Sequence, residues 1–242
     1  MTEKPAQWPS QEWPVLWIKL TAMASLAIMV IFGLWPGLDL AVTGYFYSPA
    51  DSFWVRQSAL IETLRMGLWR LSAIMVLFAL VAVVFGASEG WLGIPKRAWI
   101  YVVALYVLGP GLLVDRVLKQ YWGRARPSQV LDFGGTAEFT PVYKITDQCL
   151  SNCSFVSGEG AGAMAFVIAL LVLLPFWKAA LSASAYRAAQ GLALLVLVGA
   201  GWQRVGSGGH FLSDILMSYC LVLLVALGLQ KLFFIWGVSG RV

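Results

Sequence analysis

Residues 160–177 read GAGAMAFVIALLVLLPFW, a run without one charged side chain. A helix rises about 1.5 Å per residue, so a run of this length nearly crosses the ~30 Å hydrocarbon core of a bilayer. It is apolar on every side, and such a helix must be buried in protein or in lipid. The whole chain agrees with the second setting. It is 60% hydrophobic and 12% charged, with a mean hydropathy of +0.76, where a soluble domain carries roughly 25% charged residues. The chain reads as an integral membrane protein.

Working outward, five more stretches have the length and composition of a span: Val15–Leu34, Leu68–Ala87, Ala98–Val114, Ala188–Trp202 and Phe211–Trp236. With Gly160–Trp177 they predict an all-α fold, a single membrane-embedded bundle of six transmembrane helices over residues 1–242. The polar residues 1–12 are expected as a cytoplasmic tail, and the first span is too long for a signal-peptide core, so it is expected to stay uncleaved. Between the first two spans, Asp39–Arg65 is aromatic and amphipathic but too short and polar to cross. It is expected as an interfacial helix in the headgroup plane, with an ordinary polar loop as the alternative. Twelve tryptophans and eight tyrosines suit two membrane interfaces. A net charge of +5 is too small to imply nucleic acid, and no basic cluster interleaved with aromatics is present.

If the N-terminus is cytoplasmic, the loops at 115–159 and 203–214 share the opposite face. Lysines and arginines are then nearly balanced across the membrane unless those in the two loops are set aside as functional. The chemistry-bearing residues lie in these loops. The second reads QRVGSGGHFLSD and holds the chain's one histidine, His210. A lone histidine is by default a satisfied structural residue. Here, however, Asp214 follows at i+4, where a helix would place it on the same side. It could accept from Nδ1–H and leave Nε2 free as a nucleophile. Arg204 offers a planar fork suited to phosphate, and the glycines before His210 allow close backbone approach to an anion.

The first loop opens with Lys119, Arg124 and Arg126. Three cations at the end of a span either face water and headgroups or hold an anion. It closes with Ser157-Gly158 before the fourth span, either a hydroxyl and free N–H groups for an anion or a plain helix cap. Cys149 and Cys153 are expected as two free thiols, because a four-residue spacing demands a particular turn before a bridge can close, with a bridge that pins the approach to Ser157 as the alternative.

In order and spacing, Lys119 with Arg126-Pro127, then Ser157-Gly158, then Arg204, His210 and Asp214 resemble the three-part signature of the type-2 phosphatidic acid phosphatase family, whose membrane branch has six helices. The resemblance implies that His210 attacks phosphorus to give a phosphohistidine and that Asp214 orients it. It implies that Lys119, Arg126 and Arg204 neutralise the phosphoryl oxygens, with Ser157 and Gly158 adding hydrogen bonds and Arg124 as an auxiliary. No cofactor or metal is expected. One position departs: Glu159 stands where the family usually has the histidine that protonates the leaving oxygen. Glu159 is expected as that acid, or else as an ionised partner of Arg124 or Arg126.

The wording WGRARPSQV, FGG, FTP and NCSFVSGE resembles bacterial lipid A phosphatases. It implies a lipid phosphomonoester substrate, most closely lipid A, met at the bacterial inner membrane by a site facing the periplasm. Undecaprenyl-diphosphate or phosphatidylglycerol-phosphate hydrolysis, phosphotransfer to a second lipid, and a non-catalytic headgroup binder or transporter are the alternatives.

Overall fold

The computed structural model describes residues 12–87 and 90–239. The expected tail, Glu12 apart, and Ser88 and Glu89 lie outside them. Among the described residues nine α-helices follow in order: α1 (Glu12–Leu34), α2 (Gly37–Gly44), α3 (Trp54–Gln57), α4 (Ala59–Phe85), α5 (Lys96–Tyr106), α6 (Lys119–Tyr121), α7 (Gly158–Leu173), α8 (Ala183–Gly206) and α9 (Leu212–Ser239). A π-helical stretch, Val107–Leu118, joins α5 and α6 into one rod. Six of these units are long and apolar enough to span a bilayer, and the fold is an all-α membrane bundle.

Helix α7 sits at its centre, packed on α4, α8, α9 and the α5–α6 rod. Its first turns hold Gly160, Ala161, Gly162 and Ala163, all glycine or alanine without bulk, which lets neighbouring backbones approach closely. A Cβ placed on Gly160 would stand 2.6 Å from Ser218 Oγ of α9. Helix α8 is peripheral and shows Leu192, Leu194, Leu195 and Val198 to the lipid.

The helix ends differ from expectation where charged residues continue a helix. Helix α4 begins at Ala59, not Leu68, because Ser58 caps it by accepting from the Ile61 N–H. The 39–65 segment is therefore not one interfacial helix. It divides into most of α2, a small hairpin (β1, Tyr47–Ser48; β2, Ser52–Phe53), α3 and the first turns of α4. Phe46, Phe53 and Val55 turn inward and form a second core with Phe133, Val205 and Phe211, while Tyr45 and Trp54 stay exposed. The third span runs on to Tyr121, since Pro110 falls within the π-helical stretch, whose wider turn tolerates the missing N–H. Asp115 and Lys119 are thus helical residues. Helix α8 likewise extends to Gly206 and carries Arg204 in its last turn, where a cation complements the C-terminal dipole.

Cys149 and Cys153 are bonded to each other, contrary to the expectation of two free thiols, with their Cα atoms 5.6 Å apart. The turn they needed comes from Asn152, in the left-handed region at φ 50°, which asparagine tolerates better than most residues.

Candidate active site

The two loops expected to share a face do meet. Helix α8 ends in a tight turn in which the Gly209 and His210 N–H groups both bond to the Arg204 carbonyl. Gly208 has φ +67°, and a Cβ on it would strike the Phe53 ring. A Cβ on Gly209 would run into the Arg204 guanidinium. Glycine here lets the guanidinium lie against the backbone that leads into the histidine.

His210 is 2% exposed. Its Nδ1 lies 2.8 Å from the Ser154 carbonyl oxygen. A carbonyl only accepts, so Nδ1 carries the proton and Nε2 keeps its lone pair. Burial, and then the charges of Arg204, Arg126 and Lys119, hold the imidazole well below its ordinary 6.5, and it is neutral.

Asp214 is fully buried and does not bond to His210. Its Oδ1 accepts from Arg124 Nη1 at 2.6 Å, and its Oδ2 accepts from Ser154 Oγ at 2.6 Å and from the Phe211 N–H at 3.0 Å. The direct contact expected from the i+4 spacing is absent because α9 starts at Leu212, which leaves His210 before the helix. Asp214 reaches the histidine through Ser154, gripping its hydroxyl while its carbonyl holds the ring.

Arg124 is corrected from auxiliary phosphate ligand to buried organiser. It is 0% exposed and donates to Asp39 Oδ2 (2.9 Å), Ser213 Oγ (2.9 Å), Asp214 Oδ1 and the Thr140 carbonyl (2.9 Å). The Phe211 ring covers it at 4.4 Å. Burial opposes its charge, but the Asp214 and Asp39 carboxylates raise its pKa nonetheless. Asp39 was not singled out as a functional residue. It also accepts from the Ser213 N–H (2.9 Å) and hydroxyl (2.5 Å). The available signal was a carboxylate in the otherwise apolar stretch GLDLAV, which demands a partner.

The other cations are less occupied. Arg126 donates to the Asn152 carbonyl at 2.9 and 3.2 Å, and burial lowers its pKa. Lys119 reaches in beside Gly158, where an added Cβ would stand 3.1 Å from its Nζ and 3.0 Å from Asp115 Oδ1. Arg204 is 8% exposed, its Nε is buried without a partner among the described residues, and its ion partner, Glu159 Oε1, stands 3.6 Å away. Ser157 caps α7, its Oγ accepting from the Gly160 N–H at 3.0 Å, and its own hydroxyl proton remains to be donated.

Glu159 pairs with neither Arg124 nor Arg126. Its Oε1 lies 2.7 Å from Arg65 Nη1 and bridges towards Arg204. Arg65, on α4, also pairs with Glu62 and was not anticipated as a site residue. These residues close the polar end of a cleft of about 660 Å³ between α4, α7 and α8, whose walls include Leu64, Leu68, Phe166 and Val196. Cations, a hydroxyl and helix N–H groups around a neutral imidazole form a donor set for an anion.

A family model described as the PAP2 superfamily matches residues 97–237. The chain is 32% identical to a lipid A 4'-phosphatase of Rhizobium leguminosarum over 223 residues, covering 85% of this chain and 91% of that one. It is also 32% identical to a lipid A 4'-phosphatase of Francisella tularensis subsp. novicida, over 191 residues, 77% of this chain and 82% of the relative. Among solved structures, a transmembrane PAP2-type phosphatidylglycerolphosphate phosphatase from Bacillus subtilis superposes with a TM-score of 0.56 at 19% identity. That match covers 95% of this chain and 96% of the other.

Proposed function

Because the chain belongs to the PAP2 superfamily and is a multi-pass membrane lipid phosphatase, we propose that it removes a phosphomonoester from lipid A through a phosphohistidine on His210. The observation that carries the mechanism is the buried imidazole with Nδ1 held by a carbonyl and Nε2 left for attack, set near Arg204, whose Nε has no partner among the described residues. Phosphoryl transfer needs little beyond such positioning and charge neutralisation.

Nε2 attacks phosphorus, and the bond to the lipid oxygen breaks. Lys119, Arg126 and Arg204 hold the three phosphoryl oxygens, assisted by the Ser157 hydroxyl and the Gly158 N–H. Ser154, gripped by Asp214, keeps the ring aimed and accepts the Nδ1 proton's hydrogen bond as the imidazole gains charge. Water then attacks the phosphohistidine, frees inorganic phosphate and restores the imidazole. Two guanidinium groups on one carboxylate oxygen support an ion-pair role for Glu159, with the leaving oxygen protonated from the aqueous face. The apolar cleft that ends at Arg204 supports a substrate whose chains stay in the bilayer.

The identity to lipid A 4'-phosphatases supports lipid A as the substrate. The Cys149–Cys153 bond within the site loop fits an oxidising compartment, which supports an inner-membrane enzyme with its site on the periplasmic face. The test is phosphate release by detergent-solubilised protein from lipid A, undecaprenyl diphosphate and phosphatidic acid, with His210→Ala and Glu159→Gln alongside. Release is expected fastest from lipid A, lost in His210→Ala and largely kept in Glu159→Gln. Faster release from another lipid overturns the substrate, and full activity of His210→Ala overturns the mechanism.

A further inference from the structure

One wall of the cleft carries a polar group that the mechanism does not use. Gln203 precedes Arg204 on α8, is 5% exposed and lines the same cleft. Both ends of its side-chain amide, Oε1 and Nε2, are buried with no partner among the described residues. Burying an amide with no counterpart forfeits its hydrogen bonds to water with nothing in return, so native proteins rarely keep one without a use. Apolar residues make up much of the cleft it lines, Leu68, Trp69, Val196 and Gly199 among them.

We infer that Gln203 reads the headgroup of the lipid, bonding a neutral group that both donates and accepts, a hydroxyl or an amide, a short distance from the scissile phosphate. Three observations converge on that chemistry. An unpaired amide offers two donors and an acceptor at one place, which matches a hydroxyl or a second amide and wastes half its capacity on a phosphate. Its neighbour Arg204 is a phosphate ligand in the function proposed above, on which this inference rests, so whatever meets Gln203 lies next to the phosphate. The charged groups at this end, Arg65 and Glu159, are already paired with each other, which leaves Gln203 as the neutral reader. The cleft beyond it is apolar and takes the chains. The substrate class is then a lipid phosphate whose backbone bears hydroxyl or amide groups, as in acylated amino sugars, in preference to a glycerol diester that has neither.

The test compares two lipids that differ in this feature, ceramide 1-phosphate, with an amide and a hydroxyl near the phosphate, and phosphatidic acid, with only esters. Phosphate release is measured in detergent micelles for wild type, Gln203→Leu and Gln203→Glu. Wild type is expected to favour ceramide 1-phosphate in kcat/KM by roughly tenfold or more, the size seen when a buried polar group loses its counterpart. Gln203→Leu is expected to erase that preference while hydrolysing phosphatidic acid within about twofold of wild type, which also shows the variant to be folded. An unchanged preference in Gln203→Leu overturns the inference, as does an equal loss on both lipids, which would make Gln203 a packing residue. If Gln203→Leu does not fold, Gln203→Glu decides: it keeps the volume and the acceptor but loses the donors, and must shift the preference. Release from neither lipid by wild type, with lipid A cleaved, is settled by repeating the comparison of variants on lipid A, where Gln203→Leu must raise KM. Release from no lipid at all sinks the phosphatase reading itself. In that case, retention of ceramide 1-phosphate over phosphatidic acid by immobilised wild type, and its loss in Gln203→Leu, still decides the role of Gln203.

Discussion

Removing Asp39 tests the buried charge network more directly than removing any residue that touches substrate. Asp39 is 1% exposed and accepts three hydrogen bonds, one from Arg124 and two from Ser213. In Asp39→Ala the Arg124 Nη2 group and the Ser213 N–H lose their acceptor in a space water does not reach. Breaking a buried ion pair from one side costs about 3–5 kcal/mol. Arg124 keeps Asp214 as a counter-charge, so the lower end applies, about 3 kcal/mol, against a typical total stability of about 5–15 kcal/mol. Asp39→Asn keeps one acceptor and is expected to lose about half as much. The damage should reach catalysis, because Arg124 also fixes Asp214, Asp214 fixes Ser154, and Ser154 aims His210. A shift of about 1 Å in a reacting group costs on the order of a hundredfold in rate. The assay pairs thermal unfolding in detergent with phosphate release for Asp39→Ala, Arg124→Met and the double variant. The double is expected to be milder than the sum of the singles by about 1 kcal/mol or more, since each single leaves its partner stranded. Additive losses, or an Asp39→Ala protein that melts and turns over like wild type, would falsify the network.

Two further outcomes follow from the site. His210 titrates well below 6.5 when folded and near 6.5 when unfolded. Between those values only the unfolded chain binds the proton, so stability is full above pH 6.5 and declines as pH falls towards the folded value. His210→Asn should lack this component of the pH dependence, and the acid limb of kcat/KM in wild type should lie below pH 6.5; a limb at or above 6.5 contradicts the buried neutral ring. Reducing the Cys149–Cys153 bond should lower stability by about 2 kcal/mol, the low end of the usual range because the loop is short. It should also slow turnover, because Ser154 follows Cys153 directly; complete reduction confirmed by mass with unchanged turnover refutes that link.

Hydropathy alone was enough for the six spans, because lipid imposes one rule on every residue along a helix. It failed at the helix ends, and for one reason. Ala59–Gly67, Lys119 and Arg204 lie on helices yet carry or adjoin charges, and charge at the end of an apolar run looks like a loop. In the site, the motif residues were visible by type and spacing, but their partners were not. Arg124 and Asp39 are 85 positions apart, Ser154 and Asp214 are 60 apart, and Arg65 and Glu159 are 94 apart. No local pattern connects such pairs. Asp214 was assigned to Nδ1 on helical spacing, and the turn before α9 removes that geometry. Gln203 was hidden for the opposite reason: a glutamine at the end of a span reads as ordinary until its burial is known.

The arginines of the site show why burial and partners, taken together, separate structure from function. Arg124 and Arg204 are both buried, lie in adjacent loops or turns and would be scored alike by charge. Arg124 has an acceptor for each of its three nitrogens, an aromatic ring over its face and no exposed surface, so a ligand does not reach it. Arg204 has a buried Nε without a partner and a carboxylate beyond hydrogen-bond reach. A buried guanidinium in that condition keeps a donor that an arriving anion can satisfy. The same reasoning divides the neutral groups, for Ser213 is saturated by Asp39 and Arg124 while Gln203 is bare. In this bundle the saturated groups Arg124, Asp214 and Ser154 position the histidine, and two of the unsatisfied ones, the Arg204 Nε and the Gln203 amide, line the cleft proposed for the lipid phosphate and its headgroup.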